Sequence, residues 1–358
     1  MQSNRLNFEG QNIYIGIDVH LKSWTVSIFT ERVKMKPFSQ DPDASILYAH
    51  LQKNFPGGNY FSAYESGFSG FSVHYQLVKY GINNIVFNAA DINDSHKERV
   101  RKTDAVDSSK IARNLRDGEL TAIYVPSQEE LSDRQLIRTR QTLVKNQTQT
   151  KIRIKSFLNF YGISCPKEID PTGSGWTRRY LEWLKETVSK MPDGQRKSGE
   201  YLVRDLEYQH TQVLAVSRDI RELIHSPKFI EDYRLLTTVP GIGFTIAATI
   251  LLEIGDINRF QSSDRLASFI GLVPDTRSTG DNEGIMGITT RSNRHLRELF
   301  TESAWRAIRV DPALAMVYEN LCKRMKATNA IVRIARKLVN RVMYVLKNKK
   351  TYVCAVVR

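Results

Sequence analysis

Four carboxylates and one hydroxyl carry the chemistry open to this 358-residue sequence. Asp18 interrupts the apolar run at 13–20 (I-Y-I-G-I-D-V-H), Glu65 ends the run at 59–64, and Asp104 and Asp107 sit three apart in R-K-T-D-A-V-D at 101–107. A carboxylate among apolar residues is costly to bury unless something pairs with it, and a divalent cation is an effective partner. The i,i+3 spacing sets Asp104 and Asp107 on one helical face, where like charges repel and the positive end of the helix softens the repulsion. Together the four form an all-oxygen set suited to Mg²⁺ or Mn²⁺. Two such ions a few ångströms apart activate a nucleophile and stabilise a leaving oxygen at a phosphodiester. Local roles compete with this reading: Asp18 as a strand-end cap, Asp104 as an N-cap with Asp107 in the first turn. Asp91, Asp94 and Asp117 lie nearby, so composition leaves the choice of four open. The hydroxyl is Ser278, in D-T-R-S-T-G at 275–280, a small, polar, flexible stretch kept open by Gly284 and Gly287. Arg291, Arg294, His295 and Arg297 follow it. Access and surrounding positive charge are what a phosphoryl nucleophile needs, although an ordinary Ser-Thr-Gly turn has the same composition.

The elements that must position these groups read as follows. Strands at 13–20 and 24–30 form a hairpin, with a third strand at 32–38, a helix at 44–54, a strand at 59–64, a helix at 68–80, a strand at 84–88 and a helix at 104–116. Strands that give way to β/α alternation indicate an α/β layer fold, and Asp18 and Glu65 fall at strand ends, where open α/β sheets hold ligands. From 127 to 233 the sequence is polar and helix-forming, with loops at 173–175 and 192–199 and a helix at 201–224. It pairs as a helical hairpin or coiled coil. From 235 a mainly helical unit begins, opened by a glycine turn, Pro240-Gly241-Ile242-Gly243, whose amides at Gly241 and Gly243 can meet a phosphate as in a helix-hairpin-helix element. The expected domains are 1–127, 128–232 and 233–358.

Charge narrows the partner. Fifty-two Lys and Arg against 38 Asp and Glu give a net charge of +14 and a pI of 9.6, which points to a polyanion. Between Arg134 and Lys167 there are eight basic residues and no acidic one; Arg134, Arg138, Arg140, Lys151, Arg153 and Lys155 are candidate phosphate contacts. The stretch from 321 to 358 holds eleven Lys or Arg and no acid. Ile331, Ile334, Ala335, Leu338, Val342 and Leu346 run through it at helical spacing, which predicts an amphipathic helix with Arg333, Arg336, Lys337 and Arg341 as a phosphate strip. Arg291, Arg294 and Arg297 belong to the same expected surface. No run of 18 apolar residues and no signal-peptide core is present, which argues against a membrane. Three widely spaced cysteines fit a reducing cytoplasm.

Six motifs in order then resemble the IS110 family of insertion-sequence transposases: G-I-D-V-H at 16–20, Y-E-S-G at 64–67, K-T-D-A-V-D at 102–107, V-P-G-I-G at 239–243, E-I-G-D-I-N-R-F at 253–260, and G-L-V-P…S-T-G at 271–280. The resemblance implies an α/β RuvC/RNase H-like N-terminal domain, a helical coiled-coil middle region and a mainly α C-terminal transposase domain. Its acidic tetrad falls on Asp18, Glu65, Asp104 and Asp107 with Mg²⁺, and its nucleophile on Ser278. Many relatives carry serine directly before the glycine, where this chain has Thr279, and more basic residues at the positions of Asp281, Asn282 and Glu283. It also implies cutting and rejoining of donor and target double-stranded DNA through a serine–phosphate intermediate. Further implications are a homodimer or homotetramer with a site shared between protomers, a structured noncoding bridge RNA that pairs with both DNAs, and a prokaryotic, nucleoid-associated, cytoplasmic setting. Base pairing would then choose sequence while basic helices hold backbones. The alternative enzyme is a metal-dependent RuvC-like nuclease that uses the tetrad and water. A DNA-architectural protein is the non-enzymatic alternative.

Overall fold

The computed structural model describes residues 7–88, 103–170, 175–279, 282–289 and 292–354, and for 275–279 and 282–288 the backbone is described. The chain forms two compact units, Met1–Val125 and Pro126–Arg358.

The first unit is built on a five-stranded sheet of order β3-β2-β1-β4-β5. The strands are β1 (Asn12–Val19), β2 (Trp24–Phe29), β3 (Phe38–Gln40), β4 (Asn59–Glu65) and β5 (Asn83–Phe87). β1 runs antiparallel to β2 and parallel to β4, so the sheet is mixed. One face packs Ile13, Ile15, Ile17, Trp24, Val26 and Ile28 against Leu47 and Leu51 of α1 (Ala44–Asn54) and Val73 and Leu77 of α2 (Ser72–Lys79). The other face carries α3 (Asp104–Arg116), with Ile111 against Ala63 and Phe87. Burial on both faces explains why β1 and β2 read as nearly continuous apolar runs. The third strand begins at Phe38, not Arg32: Pro37 has no N–H for the ladder, and residues 30–35 fold back in a turn closed by Thr30 N–H to Val33 O at 2.9 Å.

α3 lies unusually close to the sheet. A Cβ built on Gly16 would stand 2.1 Å from Ser108 O and 2.4 Å from Ala112 N, so only glycine fits there. Beside it the Ser27 hydroxyl meets those of Ser108 and Ser109 at 2.8 and 2.9 Å, which satisfies three buried polar groups.

The second unit is helical with one hairpin of strands. Its helices are α4 (Gln128–Phe160), α5 (Arg178–Ser189), α6 (Asp193–Ile224), α7 (Ile230–Thr237), α8 (Phe244–Ile254), α9 (Ser263–Ile270), α10 (Arg294–Ala307), α11 (Pro312–Cys322) and α12 (Ala327–Asn348). The strands are β6 (Pro274–Thr279) and β7 (Asn282–Ile288). Ser127 and Glu130 form a capping box that starts α4, with bonds of 2.7 and 3.1 Å. α4 and α6 pair antiparallel, shown by Arg140 Nε to Ser217 Oγ at one end and Thr150 Oγ1 to Asp205 Oδ2 further along. The loop expected at 192–199 is instead the first turns of α6. A Cβ on Gly199 would lie 2.8 Å from Val188, so that glycine serves close packing of α5 on α6 rather than a break.

Two apolar clusters stabilise this unit. One joins Ile154 and Leu158 of α4 to Leu184 and Val188 of α5 and to Val203 and Leu206 of α6. The other joins Ile137, Val216 and Ile220 at the base of the paired helices to α8, α10 and α12. The expected stripe of α12 is buried: Ile331, Ile334, Ala335, Leu338, Val342 and Leu346 are at most 3% exposed. No helix of the described residues is long and apolar enough to cross a membrane.

Candidate acidic site and nucleic-acid surfaces

The register Ile17↔Tyr64 between parallel strands sets Asp18 and Glu65 side by side at the C-terminal edge of the sheet. Tyr64, buried in the core on the α1 and α2 face of the sheet, fixes the chain beyond β4: its hydroxyl donates to Gly70 O at 2.9 Å and accepts from His74 N–H at 3.3 Å. Burial pushes the Tyr64 phenol up to about 12. α3 approaches the same edge. Thr103 is its N-cap and Asp104 and Asp107 occupy its first turn, and the close seat at Gly16 determines how far that turn reaches towards β1.

There the groups converge. His20 Nε2 lies 3.2 Å from Asp18 Oδ2 and 3.6 Å from Asp104 Oδ2. One donor atom from each of Asp18, His20 and Asp104 lies within 4.8 Å of the others. Burial raises the Asp18 carboxyl above its ordinary range; the His20 ring opposes that rise, while the Asp104 and Asp107 carboxylates add to it. A half-buried carboxylate crowded by two others is the electrostatic state that a divalent cation relieves, and the donor set, mostly oxygen, fits Mg²⁺ or Mn²⁺. Glu65 is exposed at the same edge. Asp91 and Asp94 lie outside the described residues, and Asp117 is bound by Arg116 at 2.8 Å at the far end of α3.

His20 is not among the candidates that the sequence singles out. The signal is present nonetheless: in a strand, residues two apart face the same side, so a histidine at 20 accompanies an aspartate at 18.

Ser278 lies on β6 opposite Glu283 of β7. The stretch expected to be flexible is therefore a β-hairpin, in keeping with the β-branched Thr276, Thr279, Ile285 and Ile288 along it. Its base is fastened: Thr289 N–H donates to Val273 O at 3.2 Å, Arg297 donates to Thr289 O at 2.9 Å, and Asn293 N–H donates to Phe269 O at 2.9 Å.

The basic candidates divide by what they touch. Arg134 is 8% exposed and donates to Leu252 O, with Glu253 at 3.9 Å. Arg138 forks onto the buried Glu253 at 2.7 and 2.9 Å, and Asn293 Nδ2 donates to the same carboxylate at 2.8 Å. Arg140 bonds Ser217, Arg336 pairs with Asp264, and Arg341 pairs with Asp311 at 2.8 Å. Arg294 pairs with Glu298 at the surface. Lys151 and Lys155 stand 5.5 and 6.0 Å from the centre of the Trp176 ring. Among the described residues no side-chain bond or ion pair holds Arg153, Arg333 or Lys337; Arg153 and Lys337 lie on α4 and α12, and Arg333 stands one turn from Lys337. Arg291 lies outside the described residues. At the glycine turn a Cβ on Gly241 would stand 2.4 Å from Ser303 O, so this glycine is required by contact with α10. Gly243 is exposed and starts α8 with no side-chain cap.

Residues 233–319 match the family model described as transposase of the IS116/IS110/IS902 family, and residues 15–163 match a DEDD model of IS110 proteins described as transposase. The chain is 30% identical over 271 residues to the y4qE protein of Sinorhizobium fredii, covering 74% of this chain and 62% of that protein. It is 26% identical over 261 residues to the transposase for insertion sequence element IS1111A of Coxiella burnetii (71% and 69%). With the transposase for IS1328 of Yersinia enterocolitica it shares 26% identity over 207 residues (57% and 58%). The chain thus spans under two thirds of the first of these relatives. The first model includes Gly241, Gly243 and Ser278, and the second includes Asp18, Glu65, Asp104 and Asp107.

Proposed function

The chain belongs to the IS116/IS110/IS902 family of transposases, and from that premise we propose that it is a recombinase that cuts and rejoins the DNA of an insertion sequence. The observation that carries the reading is the convergence of Asp18 and Asp104 on one point, with Asp107 near enough to raise Asp18 and Glu65 beside it in register. These four hold a divalent cation, Mg²⁺ first and Mn²⁺ second, in a RuvC-like α/β domain. When bound, the ion supplies positive charge to the oxygens of a scissile phosphate.

Ser278 is the nucleophile. Its Oγ bonds to phosphorus as the bond to the leaving deoxyribose oxygen breaks, and the serine proton ends on that oxygen. The serine–phosphate diester keeps the energy of the broken bond, so attack by another strand's hydroxyl rejoins DNA and restores the serine. Two supports are the hairpin's fastened base and the presence of this segment inside the matched transposase region. Arg153, Arg333 and Lys337 hold phosphates, a structured bridge RNA supplies sequence choice by pairing, and the chain works as a homodimer or homotetramer at the nucleoid. The organisation is a domain at 1–127, a coiled-coil region at 128–232 and a transposase domain at 233–358.

The test incubates the full chain with its flanking noncoding RNA and with donor and target DNA. A protein–DNA adduct mapping to Ser278, absent in Ser278→Ala, is the expected result. Cutting that persists in Ser278→Ala but stops in Asp18→Ala assigns the protein instead to the RuvC-like nucleases, a reading that the acidic cluster alone would support.

A further inference from the structure

We propose that His20 is itself a ligand of the ion in the acidic site and that its imidazole biases that site towards Mn²⁺ over Mg²⁺; the inference rests on the metal-dependent reading above. His20 follows β1 directly, and its ring lies on the side of Asp18, two residues before it. The backbone of His20 is held by its N–H donating to Ser23 O at 3.1 Å, which closes the β1–β2 turn. The imidazole is half exposed, and its Nε2 stands 3.2 Å from one carboxylate and 3.6 Å from a second. A single Nε2 hydrogen satisfies one carboxylate. The approach of the second is what three donors show when they surround a shared point.

The dimensions agree. An octahedral ion with ligands at about 2.1 Å holds its donors roughly 3 to 4 Å apart, and the donor atoms of Asp18, His20 and Asp104 lie within 4.8 Å of one another. A small inward turn of the exposed His20 and Asp104 side chains closes that gap. Among the described residues, the groups that act on Asp18 are His20, Asp104 and Asp107, and the imidazole is the one that reaches both Asp18 and Asp104. The histidine also changes the chemistry of the site. Mg²⁺ keeps to hard oxygen donors, whereas a nitrogen donor is accepted more readily by Mn²⁺ and the later metals.

The experiment uses the full chain without an affinity tag, loaded with Mn²⁺ alone, and reads ¹⁴N modulation in the pulsed electron paramagnetic resonance of the bound ion. Directly bound imidazole gives that modulation, and His20→Gln removes it while Mn²⁺ remains bound. Calorimetric titration of Mn²⁺ and Mg²⁺ provides the second arm. His20→Gln weakens Mn²⁺ about tenfold or more and Mg²⁺ by less than about threefold, the range over which ligand-sphere changes act. Mn²⁺ bound without ¹⁴N modulation, modulation that survives in His20→Gln, or an unchanged Mn²⁺/Mg²⁺ ratio overturns the inference and leaves the metal-dependent reading intact. No binding of either ion to the wild-type chain overturns both. An unchanged thermal unfolding midpoint in metal-free His20→Gln shows that the variant is folded.

Discussion

Gly16 and Tyr64 show how single residues near the sheet edge set the geometry of the acids. Gly16→Ala puts a methyl 2.1 Å from a backbone carbonyl of α3. The helix has to withdraw, at a cost of about 1–3 kcal/mol for overpacking. The expected outcome is a lower unfolding midpoint together with weaker divalent-ion binding, because Asp104 and Asp107 travel with the helix. Tyr64 gives a pH signature. Its phenol is pushed from 10.0 to about 12 by burial, so between those values the folded chain holds a proton that the unfolded chain has released. Stability therefore falls as pH rises from about 10 to about 12, by roughly 3 kcal/mol at most. Tyr64→Phe lacks that decline, and the difference between the two unfolding free energies, followed by denaturant titration across this alkaline range, isolates it.

Among elements, the junction of α4, α8 and α10 at Glu253 repays the closest test. A carboxylate buried to 2% exposure accepts a fork from Arg138 and a bond from Asn293. Arg138→Ala leaves that charge with the Asn293 bond and the more distant Arg134 guanidinium at 3.9 Å, and costs about 3 kcal/mol, the lower end for a broken buried pair. A double-mutant cycle of Arg138→Met with Glu253→Met measures their coupling through unfolding free energies, and the double variant recovers part of that stability, since Glu253→Met also takes the acid from the buried Arg134. This junction also marks where sequence stops being informative. Arg134 and Arg138, one turn apart in a run without acids, read as a phosphate face, because sign and spacing do not say which way a helix turns. The partner of Arg138 lies 115 residues further along the chain. By contrast, the places of Asp18, Glu65 and Asp104 are legible because strand ends and a helix start are local signals, although the N-cap is Thr103 and Asp104 is the first helical residue. The buried stripe of α12 is legible for the same reason. Ser278 is visible as a residue but not as part of a strand, since its small polar neighbours look alike in a turn and in a hairpin.

For the molecule as a whole, the excess of +14 is carried outward by fewer residues than the sequence count implies. Arg134, Arg138, Arg336 and Arg341 face acids of their own chain. Removing Arg333 and Lys337 together lowers the slope of log affinity against log salt for duplex DNA by about 2, near 0.9 for each phosphate that is no longer neutralised. Arg341→Ala leaves that slope unchanged and lowers stability instead, since the Asp311 carboxylate it pairs with is fully buried. Filter binding across a salt series separates the two.

The paired helices α4 and α6 carry apolar clusters at two levels, one around Ile137 and one around Ile154. Those two isoleucines are seventeen residues apart, about 25 Å along a helix axis. Polar side-chain bonds such as Arg140 to Ser217 and Thr150 to Asp205 span the stretch between them, so its length is a variable that evolution or an engineer can alter by removing matched turns from both helices while each cluster keeps its own packing. The arm is in effect a gauge rod: shortening it by two turns would draw its tip in by about 11 Å, roughly three base-pair steps of duplex.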